Sequence, residues 1–163
     1  MKKLLAILLS VLLLTACLPL GAVNVSAASS GTTGDCTWTL DNSRHLTISG
    51  NGSMENYDPY DENQNDEYEG YSTPWESMSD NVQQLVITSG VTGIGDYAFL
   101  DCLNMASITL PDSLTQIGAY AFQNCKSLKR ITIPKTVTEI DNCAFSGCTA
   151  LKDVYYTGEL EDW

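Results

Sequence analysis

The sequence predicts an α/β, β-rich solenoid in which 23-residue repeats stack into a parallel sheet, with short helical or 3₁₀ turns on the opposite side. Three observations support this prediction. One phrase returns every 23 residues, starting at Ile94, Ile117 and Ile140, and a fixed period of this length is typical of a solenoid. Its apolar positions keep their columns from copy to copy. Each phrase ends in alternating apolar and polar residues, which indicates a strand with one buried face.

Residues 1–27 predict an export signal. Two lysines precede an apolar run from Leu4 to Leu14, and Val25-Ser26-Ala27 offers small residues at the two positions that signal peptidase reads. An alternative stays open, because the phrase LTAC ending at Cys17 matches a bacterial lipobox in which Cys17 would be lipidated. A retained membrane anchor is the third alternative, although the run is short for a spanning helix. The predicted location is secreted or cell surface in a bacterium, or a lipid-anchored lipoprotein.

Residues 28–81 precede the repeats and divide into two parts. Residues 28–36 are small and polar, which favours a flexible leader. Residues 37–81 predict a β-rich N-terminal cap, because 37–54 alternate like the two strands of a β-hairpin and contain an Asn-Gly turn signal. A cap is expected there, since the open end of a repeat array exposes both its core and a strand edge.

Within the cap, residues 55–70 form a strongly acidic loop. Asp61, Asn63 and Asn65 place oxygen ligands at alternating positions, as at the start of a calcium loop. The sixth and twelfth positions lack the turn glycine and the bidentate Glu that such a loop needs. The sequence therefore favours a solvated loop and predicts no metal site, with these three residues as the alternative calcium ligands.

Residues 82–157 carry the repeats. The copies read IGDYAFLDCLNMASITLP, IGAYAFQNCKSLKRITIP and IDNCAFSGCTALKDVYY. A half-coil precedes them, because 82–93 match the strand positions but have no counterpart of the Phe and Cys. The first apolar columns of the predicted core are Ile94, Ile117 and Ile140; Phe99, Phe122 and Phe145; Cys102, Cys125 and Cys148. The remaining columns are Met105, Leu128 and Leu151; Ile108, Ile131 and Val154; Leu110, Ile133 and Tyr156.

Residues 158–163 predict an incomplete C-terminal cap. A repeat array that stops at this point leaves an open strand edge. Three explanations compete: Trp163 folds under the last coil, the edge pairs with another chain, or the sequence is a fragment of a longer gene.

The repeat pattern IGxxAFxxCxxLxxIxIP resembles the BspA-like leucine-rich repeats of bacterial surface and secreted proteins. The phrases WTLD from Trp38, LTISGNGSM from Leu46 and TPW from Thr73 resemble the segment that precedes such repeats. The resemblance spans residues 37–163. It implies a non-catalytic module, since members of the family bind varied partners and the repeat carries no chemistry of its own.

Charge narrows the classes of partner. The chain carries a net charge of −12, and removal of residues 1–27 leaves six basic and 20 acidic residues, a net charge of −14. Nucleic acid is therefore excluded as a partner. No Lys or Arg lies between Arg44 and Lys126, so this acidic half should also repel anionic membranes. The only membrane contact expected is a lipid at Cys17.

No combination of residues in the chain predicts an active site. His45 is the only histidine, which removes most schemes in which an imidazole activates a Ser or Cys nucleophile. Cys102, Cys125 and Cys148 share one repeat column, which favours packing residues, although a bridge between adjacent coils is allowed. No Cys-x-x-Cys pair indicates zinc or redox chemistry. We expect no enzyme and no cofactor.

The alternation within each strand predicts where a ligand would bind. Every second residue projects from the concave side of the sheet, and the candidate binding residues are Ser107, Thr109, Arg130, Thr132, Asp153 and Tyr155. The predicted function is an exported, non-catalytic recognition or adhesion module that binds an extracellular protein or glycan through this face. The alternative is a structural spacer, or a fragment of a larger multidomain surface protein, with no ligand of its own.

Overall fold

The structure, a computed structural model, describes residues 29–58 and 72–159. The chain begins with an antiparallel meander of β1 (Ser29–Thr33), β2 (Cys36–Leu40) and β3 (His45–Gly50). In this meander, Leu40 lies opposite both Ser29 in β1 and Leu46 in β3. The predicted hairpin is therefore one part of a three-stranded unit.

The first strand corrects the prediction of a flexible leader over 28–36. Residues 29–33 pair with β2 along their whole length, and Gly34 makes the connecting turn with a φ of 57°. This conformation carries no steric penalty for glycine. Thr33 is buried, and its hydroxyl accepts hydrogen bonds from the Tyr57 hydroxyl and the Glu55 N–H. Small polar residues form a strand here because their backbone and one threonine are anchored in the cap.

The meander leads directly into a parallel sheet. Strand β3 pairs in parallel with β5 (Gln84–Ile87), and β5 pairs with β7 (Ser107–Thr109). β9 (Arg130–Ile133) and β11 (Asp153–Tyr156) form a parallel pair. β7 and β9 contact each other, but the ladder of hydrogen bonds is not continuous between them. We call β3, β5, β7, β9 and β11 together the long-strand face.

A second parallel sheet lies elsewhere in each coil and was not predicted. It contains β4 (Gly52–Ser53), β6 (Val91–Ile94), β8 (Gln116–Ile117) and β10 (Glu139–Ile140), in the spatial order β10-β8-β6-β4. Ile94 pairs with Ile117, and Ile117 pairs with Ile140. Residues one period apart are therefore direct neighbours in this sheet.

The core lies between the two sheets and the turns. Its centre is a row of stacked rings in which the Phe99 and Phe122 centroids are 5.3 Å apart, as are those of Phe122 and Phe145. Trp75 continues the row at 5.6 Å from Phe99. Burial decreases toward the last described coil, where Phe145 is half-buried and Val154 is 56% exposed. Among the described residues, no further ring continues the row beyond Phe145.

The turns that follow β6, β8 and β10 have hydrogen bonds of the 3₁₀ type but do not continue into a helix. Each has a hydrogen bond between residues three apart, such as Leu100 N–H to the Tyr97 carbonyl at 3.1 Å. Tyr97 and Tyr120 have φ values of 53° and 55°, a left-handed conformation that interrupts a right-handed helix. The one helix among the described residues is the 3₁₀ helix Glu76–Asn81. No described helix has the length and apolar character needed to cross a membrane.

Candidate functional site

The candidate site is the solvent-facing side of the long-strand face. In-register pairing places its side chains in two columns: Arg130 lies beside Asp153, and Thr132 lies beside Tyr155. In β5 and β7 the same two positions are Gln84 beside Ser107 and Val86 beside Thr109. The structure brings the six predicted binding residues together on one exposed face: Ser107, Thr109, Arg130, Thr132, Asp153 and Tyr155.

Tyr155 and Val154 are the largest apolar side chains exposed among the described residues. Tyr155 is 55% exposed and projects from the solvent-facing side, whereas Val154 is 56% exposed on the opposite side, in the core column of Ile131. An exposed tyrosine ring loses little conformational entropy on binding and combines an apolar face with a hydroxyl group. Tyr155 is therefore the most favourable aromatic contact that this face offers.

The cations beside this face were not identified as site residues from the sequence. Lys129 and Lys152 precede β9 and β11, and the Lys152 N–H donates to the Lys129 carbonyl at 3.0 Å. Both side chains are exposed. Strict alternation would direct them inward, but at the first end of a strand a long side chain reaches solvent. The sequence did indicate these cations, because every Lys and Arg after Arg44 lies between positions 126 and 152.

The cysteine column is a packing feature. The five described cysteines are free thiols. The Cys125 thiol donates to the Phe99 carbonyl at 3.4 Å, and the Cys148 thiol donates to the Phe122 carbonyl at 3.1 Å. Burial raises the pKa of Cys102 to about 12, while a hydrogen bond with Cys148 and then burial raise the pKa of Cys125. Cys102 and Cys125 are therefore poor nucleophiles, whereas the hydrogen bond with Cys125 lowers the pKa of Cys148.

We expect alkylation of the native protein at pH 8 to distinguish these thiols. Iodoacetamide should label the exposed Cys143 well before Cys102, whose raised pKa makes its thiolate fraction about a thousandfold smaller than that of an ordinary cysteine. Mass spectrometry of peptides from timed reactions measures the order. The variant Cys143→Ala should lose the fast phase. Labelling of Cys125 as fast as Cys143 would contradict a closed core.

The described residues offer no group of three or more His, Cys, Asp or Glu side chains that could hold a metal ion. The alternative calcium ligands Asp61, Asn63 and Asn65, and the lipidation candidate Cys17, lie outside the described residues. A polar cavity of about 270 Å³ lies beside Asp96 and Asp141. The Asp96 carboxylate accepts the Ala119 N–H at 2.7 Å, and Asp141 accepts a Gln116 amide N–H. These bonds connect neighbouring coils.

Three features of this structure are typical of a leucine-rich repeat protein: parallel strands paired one period apart, a core of stacked repeat positions and an antiparallel cap. The family described as BspA type Leucine rich repeat region (6 copies) matches residues 77–162, which is 86 of the 163 residues. The chain therefore belongs to the BspA-type leucine-rich repeat family. This confirms the resemblance found in the sequence, and no enzyme family is among the matches.

Solved structures of bacterial leucine-rich repeat proteins are similar to this chain. A protein from Eubacterium ventriosum is 22% identical with a TM-score of 0.51, over 81% of this chain and 45% of that one. The chain thus spans less than half the length of that protein. A protein from Bacteroides capillosus is 26% identical with a TM-score of 0.48, over 80% of this chain and 99% of that one. A comparison with curated proteins found no match.

Proposed function

We propose that this chain is a non-catalytic recognition module, exported to the bacterial surface or beyond it, that binds a protein or glycan through the solvent-facing side of the long-strand face. The observation that carries this proposal is the pair of exposed side-chain columns, which includes Arg130 and Tyr155. Arg and Tyr are enriched among residues that dominate binding energy. The backbone beneath them is fixed by strand pairing, so little ordering is needed when a ligand binds.

The proposed architecture is a solenoid of 23-residue coils with the ligand on one side. In such an array each strand adds two outward side chains at a spacing of about 4.8 Å. A ligand that follows the array can therefore contact several coils at once. Export rests on the signal-like residues 1–27. Either a secreted protein or a lipid anchor at Cys17 is compatible with this function.

A structural spacer with no ligand of its own is the second candidate function. The four strands β5, β7, β9 and β11 span about 15 Å at the strand spacing of a sheet. A face of this width is narrow for a standard protein interface, which buries about 800 Å² on each partner. A spacer requires only a stable fold and an exposed surface, so it predicts that changes to the outward side chains leave every interaction of the protein unchanged.

A double substitution tests the recognition function. The native protein is expected to bind a subset of targets on arrays of glycans and secreted proteins, and Arg130→Ala with Tyr155→Ala should weaken that binding at least about tenfold, because both are central contacts. Lys135→Ala is the matched control, since Lys135 is exposed just beyond β9. Absence of binding by the native protein would favour the spacer. Equal binding by the double variant and the control would show that the ligand binds at another surface.

A further inference from the structure

Charge is separated along the repeat array. Residues 45–125 contain twelve acidic residues and no Lys or Arg, whereas residues 126–157 contain five basic and three acidic residues. Four of the five cations lie where β9 and β11 begin or just before, and we call them the basic edge: Lys126, Lys129, Arg130 and Lys152. A local excess of positive charge thus exists on a strongly acidic protein.

The four cations of the basic edge are exposed, and none of them forms an ion pair with a described residue. All four side chains are exposed, and Lys129 lies directly beside Lys152 in adjacent coils. Within residues 29–58 and 72–159 the ion pair formed is His45 with Asp41 at 3.6 Å, and none of these cations takes part in one. Like charges on adjacent strands, whose backbones are about 4.8 Å apart, repel each other. A bound anion would relieve this repulsion.

We propose that the basic edge and Tyr155 bind an acidic polysaccharide, a glycan that bears carboxylate or sulfate groups. This proposal rests on the function proposed above, because Arg130 and Tyr155 belong to the same solvent-facing side. Tyr155 follows Asp153 by two residues, about 7 Å along the strand. A sugar ring can therefore pack on the tyrosine while its anionic substituents, or those of the next sugar, reach Arg130 and Lys152.

The size of the patch favours a charged chain over a globular partner. The two strands β9 and β11 are about 4.8 Å apart, so the face they form is narrow for a stable protein interface, which buries about 800 Å² on each side. A polyanion instead gains affinity from several charge contacts and from the release of its counterions. The acidic half does not prevent this, because its strand next to β9 is β7, whose outward residues are the uncharged Ser107 and Thr109. Exposed carboxylates further away are screened, since the Debye length is about 8 Å at physiological ionic strength.

Replacing Asp153 distinguishes an anionic ligand from a neutral or cationic one. Asp153 is the strand-register partner of Arg130, and the two side chains form no ion pair. An anionic ligand at this position is repelled by Asp153, so Asp153→Asn should tighten binding. A cationic or neutral ligand does not pair with the cations of the basic edge. Such a ligand would bind the Asp153→Asn variant more weakly than the native protein, or equally. The direction of this one change therefore reports the charge of the ligand.

The test measures binding of the full chain to heparin oligosaccharides and to polygalacturonate, with neutral dextran as the uncharged probe and poly-glutamate as the acidic peptide. We expect both acidic polysaccharides to bind and affinity to fall as salt rises. Lys129→Ala with Lys152→Ala should weaken binding at least about fivefold, and Asp153→Asn should tighten it about threefold, the range expected for exposed charges. Lys135→Ala should change affinity less than twofold.

Three outcomes would overturn the proposal. The acidic polysaccharides do not bind, poly-glutamate binds more tightly than either, or Lys135→Ala weakens binding as much as the double variant. The last result would indicate diffuse attraction to the positive charge of residues 126–157 and no defined site at the basic edge. If array targets are lost in the Arg130 and Tyr155 double variant while neither acidic polysaccharide binds, the recognition function stands and the polysaccharide proposal alone fails.

Discussion

Replacing Phe122 with alanine is expected to destabilise the protein by about 3–5 kcal/mol, the usual cost of removing a buried phenylalanine ring. Phe122 is fully buried. Its ring stacks between Phe99, at an interplanar angle of 15°, and Phe145, at 9°. Removal of this ring opens a cavity between two coils and interrupts the row of rings. Since single domains are stable by only about 5–15 kcal/mol, the variant is expected near the limit of folding.

Phe145→Ala is the matched control, because Phe145 occupies the same repeat position but is only half-buried. It makes one ring contact, with Phe122, among the described residues. We expect a clearly smaller loss for it than for Phe122→Ala. Urea titration followed by circular dichroism gives both free energies of unfolding. Equal losses would show that the ring row does not gain stability from being covered on both sides.

The core could be predicted from the sequence because a fixed period forces equivalent residues to stack. Ile94, Ile117 and Ile140 were aligned from spacing alone, and the strand register pairs them directly. The second parallel sheet was missed for a physical reason. Two of its repeat strands, β8 and β10, contain two residues each, which is too short for alternation to be visible. Their pairing depends on coils being stacked, not on local propensity.

The exposure of the candidate binding residues could also be predicted from the sequence. Alternation within the strands placed Arg130 and Asp153 on the exposed side, and their register is the one expected from the 23-residue spacing. The neighbouring Lys129 and Lys152 were missed because alternation assigns them to the buried side. Their exposure follows from the position at the strand ends, which depends on where each turn stops. Charge distribution along the sequence was the better guide to these residues.

The largest effect in the cap is expected from Trp75→Ala, with a loss of about 3–5 kcal/mol for the buried ring. Trp75 is fully buried and connects the cap to the repeats. Its ring packs edge-on against Trp38 at 5.7 Å and stacks on Phe99 at 5.6 Å. Its indole N–H donates to the Ala98 carbonyl at 2.9 Å. Alanine removes all three interactions and leaves that buried carbonyl without the indole donor.

Trp75→Phe separates the ring from its hydrogen bond. Phenylalanine keeps an aromatic surface against Phe99 but cannot donate to Ala98, so we expect it to lose about 1–3 kcal/mol, the cost of an unmade buried hydrogen bond, together with a smaller packing term. Urea titration of both variants gives the two losses. If the phenylalanine variant is as unstable as the alanine variant, the hydrogen bond to the first coil dominates. If both variants are as stable as the native protein, the cap does not depend on Trp75 to cover the first ring of the repeat core.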